Sequence, residues 1–122
     1  MKLLSLIAAL AFATTTLAGD PMANDWKNAG ECAQHSPDIN AAIDDFCNKG
    51  DIMVPSKYAR NGKTSGSAHV SIKGSCSPKQ WVPKTYCQAQ FHAVCANGGP
   101  LGGGKKKFNG CQKFVINRVH HN

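Results

Sequence analysis

Six cysteines constrain this chain more than any other feature: Cys32, Cys47, Cys76, Cys87, Cys95 and Cys111. Their number is even and the chain is short, a pattern that in an oxidising compartment reads as three disulfides. Three of the six fall between Cys76 and Cys95, in CSPKQWVPKTYCQAQFHAVC, so most of the fold must be tied to that stretch. A domain of about 100 residues buries only a thin core. Each bridge adds about 2–4 kcal/mol by restricting the unfolded chain. The spacings do not suit zinc: there is no C-x-x-C pair and no H-E-x-x-H, so no metal and no cofactor is expected.

The start of the chain agrees with an oxidising compartment. Lys2 is followed by an apolar run from Leu3 to Phe12, and Thr16-Leu17-Ala18 offers small residues for cleavage. Residues 1–18 therefore read as a secretory signal peptide, too short for a span of about 20 apolar residues. Residues 19–122 are expected to form a single secreted, extracellular, cysteine-rich domain without a membrane span.

Charge divides the chain in two. Residues 19–51 carry seven acids against Lys27 and Lys49, a balance of −5. From residue 52 onward there is no acid, against nine lysines and two arginines, a balance of +11. Such asymmetry favours nonspecific contact with anionic polymers or surfaces, or an acidic first helix covering part of the basic remainder.

Local pattern suggests an α+β domain. Residues 19–35 read as an irregular lead-in, with Trp26 packed down as an anchor. Ser36 and Pro37 supply an N-cap and first helical residue. Ile39, Ala42, Ile43, Phe46 and Cys47 then mark one face of a helix that Gly50 closes, with Asp44 and Asp45 on its solvated side. Ile52–Val54 is a short edge strand stopped by Pro55. Residues 56–67 read as a polar surface loop or ragged hairpin connection. Ala68, Val70 and Ile72 alternate with His69, Ser71 and Lys73 as a strand with one buried face.

Ser77 to Trp81 reads as a single helical turn, and Pro83 starts a longer helix that runs to about Ala96. Cys87, Phe91, Val94 and Cys95 share its apolar stripe. At 1.5 Å rise per residue, Cys87 and Cys95 are about 12 Å apart along the axis, beyond the roughly 7 Å limit for a bridge. They cannot pair with each other, so each must reach a different element. Among the fifteen pairings of six cysteines, we expect Cys32–Cys87, Cys47–Cys95 and Cys76–Cys111. Residues 97–107, NGGPLGGGKKK, read as a mobile loop, and 111–119 as the last strand, central in its sheet. Gly99-x4-Gly104-Lys105 imitates part of a phosphate-binding loop, but Lys106 stands where Ser or Thr belongs and no strand precedes it. The expected architecture is an antiparallel or mixed sheet with two disulfide-tied helices.

Catalytic chemistry is poorly supplied. The histidines are His35, His69, His92, His120 and His121, and the only glutamate is Glu31. A small secreted ribonuclease using His69 or His92 is one alternative function. No G-x-S-x-G motif is present, and bridges account for every thiol. We expect no enzyme. Binding is easier to motivate: aromatic rings stack on the C–H faces of sugars, and amides and charges fix hydroxyls. Tyr58, Trp81 and Tyr86 lie outside the clear apolar stripes, with Asn61, Lys63, Gln80 and Lys84 beside them. Tyr58, in a polar segment, is expected to be the exposed ring. Trp81 and Tyr86 are expected to favour the core.

The runs MVPSKYARNGK, AHVSIKGSC, QWVPKTYCQAQFHAVCAN and CQKFVI, with CAQHSPDINAAIDDFC before them, resemble a group of small secreted fungal proteins. That group is the glycan-binding family associated with the shaggy inky-cap mushroom. The resemblance covers about residues 30–118, and W-V-P-x-x-Y-C-x-x-x-F-x-x-x-C, Trp81 to Cys95, is its most specific part. It implies a disulfide-bonded α/β/α layered domain and a lectin-like activity on glycans or glycoproteins at a cell surface or wall. The expected ligand-binding residues are Tyr58, Asn61, Lys63, Trp81 and Tyr86. A cationic antimicrobial or toxin protein acting on anionic surfaces is the other alternative.

Overall fold

The computed structural model describes residues 21–119. The expected leader, 1–18, and the His120-His121 pair lie outside the described residues. Within the described residues the fold is α+β, with four α-helices rather than two, two antiparallel sheets and three disulfides. Among the described residues no helix is long and apolar enough to cross a membrane.

A 3-10 turn at Pro21–Asn24 leads into α1, Asp25–His35, and then α2, Pro37–Cys47. Strand β1, Ile52–Val54, is followed by the short helix α3, Lys57–Asn61, and by β2, Lys63–Ser65, and β3, Ala68–Gly74. Strand β4, Gln80–Val82, feeds α4, Lys84–Ala96, and β5, Gly104–Phe108, and β6, Gln112–Arg118, are the last elements of the described residues. The larger sheet has the order β2-β3-β6-β5; β1 and β4 form a separate pair.

Helix α2 follows its sequence pattern: Ile39, Ala42, Ile43, Phe46 and Cys47 are buried, while Asp44 and Asp45 face solvent. Helix α4 is buried well beyond one stripe. Ala89, Gln90, His92 and Ala93 are covered as well as Cys87, Phe91, Val94 and Cys95, because α1 and α2 flank it and β6 lies beneath. Three rings link the layers. Phe91 meets Phe46 edge-on at 5.6 Å and Phe114 at 4.7 Å, joining α2, α4 and β6. Strand β6 is central, as its two-sided apolar pattern suggests, with β3 on one side and β5 on the other.

Several segments differ from the sequence reading. Residues 25–35 are helical, not irregular: α1 is mostly polar, with Cys32 as its buried residue, and its packing against α4 stabilises it. His92 Nδ1 lies 2.7 Å from Asp25 Oδ1, and Cys32 is bonded to Cys95. Trp26, expected as an anchor, is 80 % exposed. The polar stretch 56–67 contains α3 and β2. Ser56 caps α3 by accepting from the Ala59 N–H at 3.1 Å. Ser77–Trp81 forms no helical turn, because residues 80–82 pair with β1, with Trp81 opposite Met53. The lysine run belongs to an edge strand, with Lys105 opposite Val115 and Lys107 opposite Lys113.

The disulfides are Cys32–Cys95, Cys47–Cys87 and Cys76–Cys111, with Cα separations of 5.2, 5.7 and 5.2 Å. Cys76–Cys111 agrees with the expected pairing; the other two expected pairs, Cys32–Cys87 and Cys47–Cys95, are exchanged. The reason is helix direction. Helices α2 and α4 run antiparallel, so Cys47 at the end of α2 meets Cys87 near the start of α4. At the opposite end, a Cβ on Gly102 would lie 2.7 Å from Ile39 Cδ1 and 3.0 Å from Cys95 Sγ, which places the start of α2 beside the end of α4. Cys32, which just precedes α2, is therefore carried to Cys95. The expected pairs would have required the two helices to run parallel.

Candidate functional site

The turn after α2, residues 48–51, contacts two of the five expected binding residues, Tyr58 and Trp81. Lys84 Nζ donates to Asn48 Oδ1 at 3.2 Å. Lys49 Nζ lies over the Tyr58 ring, 5.2 Å from its centroid, and 3.2 Å from Asp51. Gly50, at φ +85, turns its carbonyl oxygen to accept from Trp81 Nε1 at 3.1 Å. Trp81 and Tyr58 thus each meet a residue of one glycine turn, although they are far apart in the chain.

The two rings play different parts. Tyr58 is not the exposed ring the sequence suggests. It stacks on Phe46 with centroids 5.1 Å apart, and its hydroxyl donates to the Phe46 carbonyl at 2.8 Å. Burial pushes its phenol above the usual value, and the negative charges of Asp45 and Asp51 push it in the same direction. With Lys63 Nζ also 5.9 Å from its centroid, Tyr58 is a packing residue under two ammonium groups. A stem that covers a ring also shields it from a sugar.

Trp81 and Tyr86, expected to favour the core, are 58 % and 49 % exposed. Strand β4 has only three residues, and its inward position is taken by Val82, which leaves the indole on the outer side. Tyr86 lies in the first turn of α4, one residue before the buried Cys87, and so faces away from the core. Asn61 and Lys63 are exposed, at the end of α3 and the start of β2. They flank Tyr58, not Trp81.

No family model matches the chain, and no match emerges among curated proteins or solved structures. The site must be judged on its own chemistry.

His69 lies 2.7 Å from the Thr64 hydroxyl, on the sheet face away from Val70 and Ile72, whereas His92 is buried in α4 against Asp25. They do not converge on one substrate position. Among the described residues no group of three or more His, Cys, Asp or Glu side chains could hold a metal ion.

The sequence reading missed the Asn48–Asp51 turn, because its role depends on side chains from β4, α3 and α4. It also missed a lysine row across the sheet, formed by Lys73, Lys113 and Lys107. The period-two spacing of Lys105 and Lys107 was available as a signal for it.

Proposed function

We propose that this protein is a secreted glycan-binding protein without catalytic activity, and that Trp81 is its principal sugar-stacking ring. The observation that carries this reading is the exposed indole tethered to the Gly50 carbonyl. An indole is large and rigid, so holding it on the surface in one orientation lowers the ordering cost of binding. Leaving it exposed costs hydrophobic stabilisation that a residue packed into the core would supply. Tyr86 offers a second exposed ring on the same approach to α4. Asn48 and Lys84, joined by a hydrogen bond, supply the amide and ammonium groups that sugar hydroxyls require. The three disulfides agree with an oxidising, extracellular location.

A glycan array probed with the 19–122 chain tests this. We expect binding to a restricted set of glycans, lost in Trp81→Ala and retained in Tyr58→Phe. A flat array at tens of micromolar protein would overturn the proposal. Binding to anionic vesicles that free sugars fail to compete would favour the cationic toxin reading instead.

A further inference from the structure

The remaining charge is concentrated in one place. Lys73 on β3 lies directly opposite Lys113 on β6, and Lys107 on β5 lies opposite Lys113 from the other side. Residues directly opposite in an antiparallel sheet project to the same face, with Cβ atoms about 4.5–5.5 Å apart. The three lysines therefore form one row across three adjacent strands, on the face away from Val70, Ile72, Phe114 and Ile116. Like charges in such a register are unfavourable by themselves. No carboxylate among the described residues lies within ion-pair distance of them. The ion pairs found, Lys49–Asp51 and His92–Asp25, are elsewhere, and the sequence contains no acid after Asp51.

The row does not stand on a flat surface. The same three lysines line a cleft of about 200 Å³ whose remaining wall is Gly74, Ser75, Gly110 and Cys111. Its geometry is fixed from below. The Cys76–Cys111 bridge joins the exit of β3 to the entry of β6, and a side chain at Gly74 would run into the Cys111 carbonyl. The β5–β6 turn closes tightly through Asn109 at φ 53 and Gly110 at φ 77. A second cleft of about 90 Å³ shares Lys73 and Gly74 and adds Arg60, which extends the positive surface.

We propose that this cleft binds an ester oxyanion, sulfate or phosphate, carried on a polysaccharide. Three ammonium groups around one cleft match the three terminal oxygens of such an ester; a carboxylate presents two. The lining has no aromatic ring on which a base could stack, as single-stranded nucleic acid would favour. It has no large apolar side chain to enter a lipid layer. None of the exposed rings of Trp26, Trp81 and Tyr86 lines the cleft, and the lysine variants below leave all three rings in place, so loss of one binding activity is read separately from the other.

The test compares two triple variants of equal net charge. Lys73→Gln/Lys107→Gln/Lys113→Gln removes the row. Lys27→Gln/Lys57→Gln/Lys106→Gln removes three exposed lysines elsewhere, Lys106 being on the opposite face of β5. Binding to dextran sulfate, dextran phosphate, carboxymethyl dextran and unmodified dextran is measured over a range of salt. We expect one or both esters to bind the native chain at least about tenfold more tightly than the carboxymethyl form. The row variant loses this binding, and its slope of log affinity against log salt falls by about 2–3, while the control variant keeps both. The ester that binds identifies the source. Equal loss in the two variants, no loss in either, or tighter binding of a charge-matched oligonucleotide or anionic vesicle overturns the proposal. Thermal unfolding checks folding; removing three mutually repelling charges should not lower the melting temperature.

Discussion

The Trp81 indole N–H donates to the Gly50 carbonyl oxygen across 3.1 Å, so the exposed ring of β4 is held by the turn that ends α2. The contact joins residues 31 positions apart and fixes a ring that no core packing restrains. Trp81→Phe keeps an aromatic face but loses this tether. We expect it to retain part of the glycan affinity, to lose roughly 1 kcal/mol or less of stability, and to bind more slowly or weakly than the native chain. Trp81→Ala should abolish binding with a similarly small stability change. Array binding combined with thermal melts separates the two effects.

Tyr58 should behave as a structural residue. Tyr58→Phe removes the hydroxyl that donates to the Phe46 carbonyl. The expected loss is about 1 kcal/mol, read from the urea midpoint, with glycan binding unchanged. Tyr58→Ala should cost more, because it also removes the ring stacked on Phe46. A large loss of glycan affinity in Tyr58→Phe at unchanged stability would contradict this assignment.

The same phenol predicts a limit at high pH. Its folded pKa is raised above 10.0, chiefly by burial and then by Asp45 and Asp51. The folded state therefore holds the proton more tightly than the unfolded chain does. That contribution is complete below the unfolded value, starts to fall near pH 10, and is lost as pH rises through the folded value. Tyr58→Phe should flatten this part of the stability profile, as followed by the phenolate absorption band and by melts at each pH.

The exchanged bridges can be tested directly. Peptide mapping of the non-reduced protein should recover Cys32 with Cys95 and Cys47 with Cys87. These bridges close loops with separations of 63 and 40 residues. In the chain-entropy account each contributes about 4 kcal/mol. Replacing both members of either pair by serine should lower stability by a comparable amount in a denaturant titration. Mapped Cys32–Cys87 and Cys47–Cys95 peptides would require α2 and α4 to run parallel.

Gly62 separates α3 from β2 at φ +70, and a Cβ there would meet the Val70 carbonyl, with His69 Nε2 and Ser71 Cβ each 2.9 Å away. Both the backbone conformation and the lack of room require glycine. Gly62→Ala should destabilise by more than about 1 kcal/mol, whereas Gly30→Ala on the open side of α1, where a Cβ meets nothing within 4 Å, should be neutral or stabilising.

Local pattern determined a good deal of this protein. The apolar spacing from Ile39 to Cys47 specified α2, because a helix buries one stripe and the stripe is written at intervals of three and four. Alternation specified β3, and the central place of β6 followed from its two-sided apolar run. The spacing of Cys87 and Cys95 excluded a bridge between them, since helix rise alone separates them.

Tertiary structure decided the rest. The direction of α2 against α4 selected the disulfide partners, and no local signal encodes direction. Packing on α4 made α1 a helix from a mostly polar sequence. Pairing with β6 made a glycine- and lysine-rich run into a strand, because edge hydrogen bonds can outweigh weak propensity. Exposure was the least legible property. Tyr58 lies in a polar segment yet packs against Phe46, while Trp81 lies in the stretch richest in cysteine yet faces solvent. Whether a ring is buried depends on which positions of its neighbours fill the core first, and here Val82 and Phe46 did.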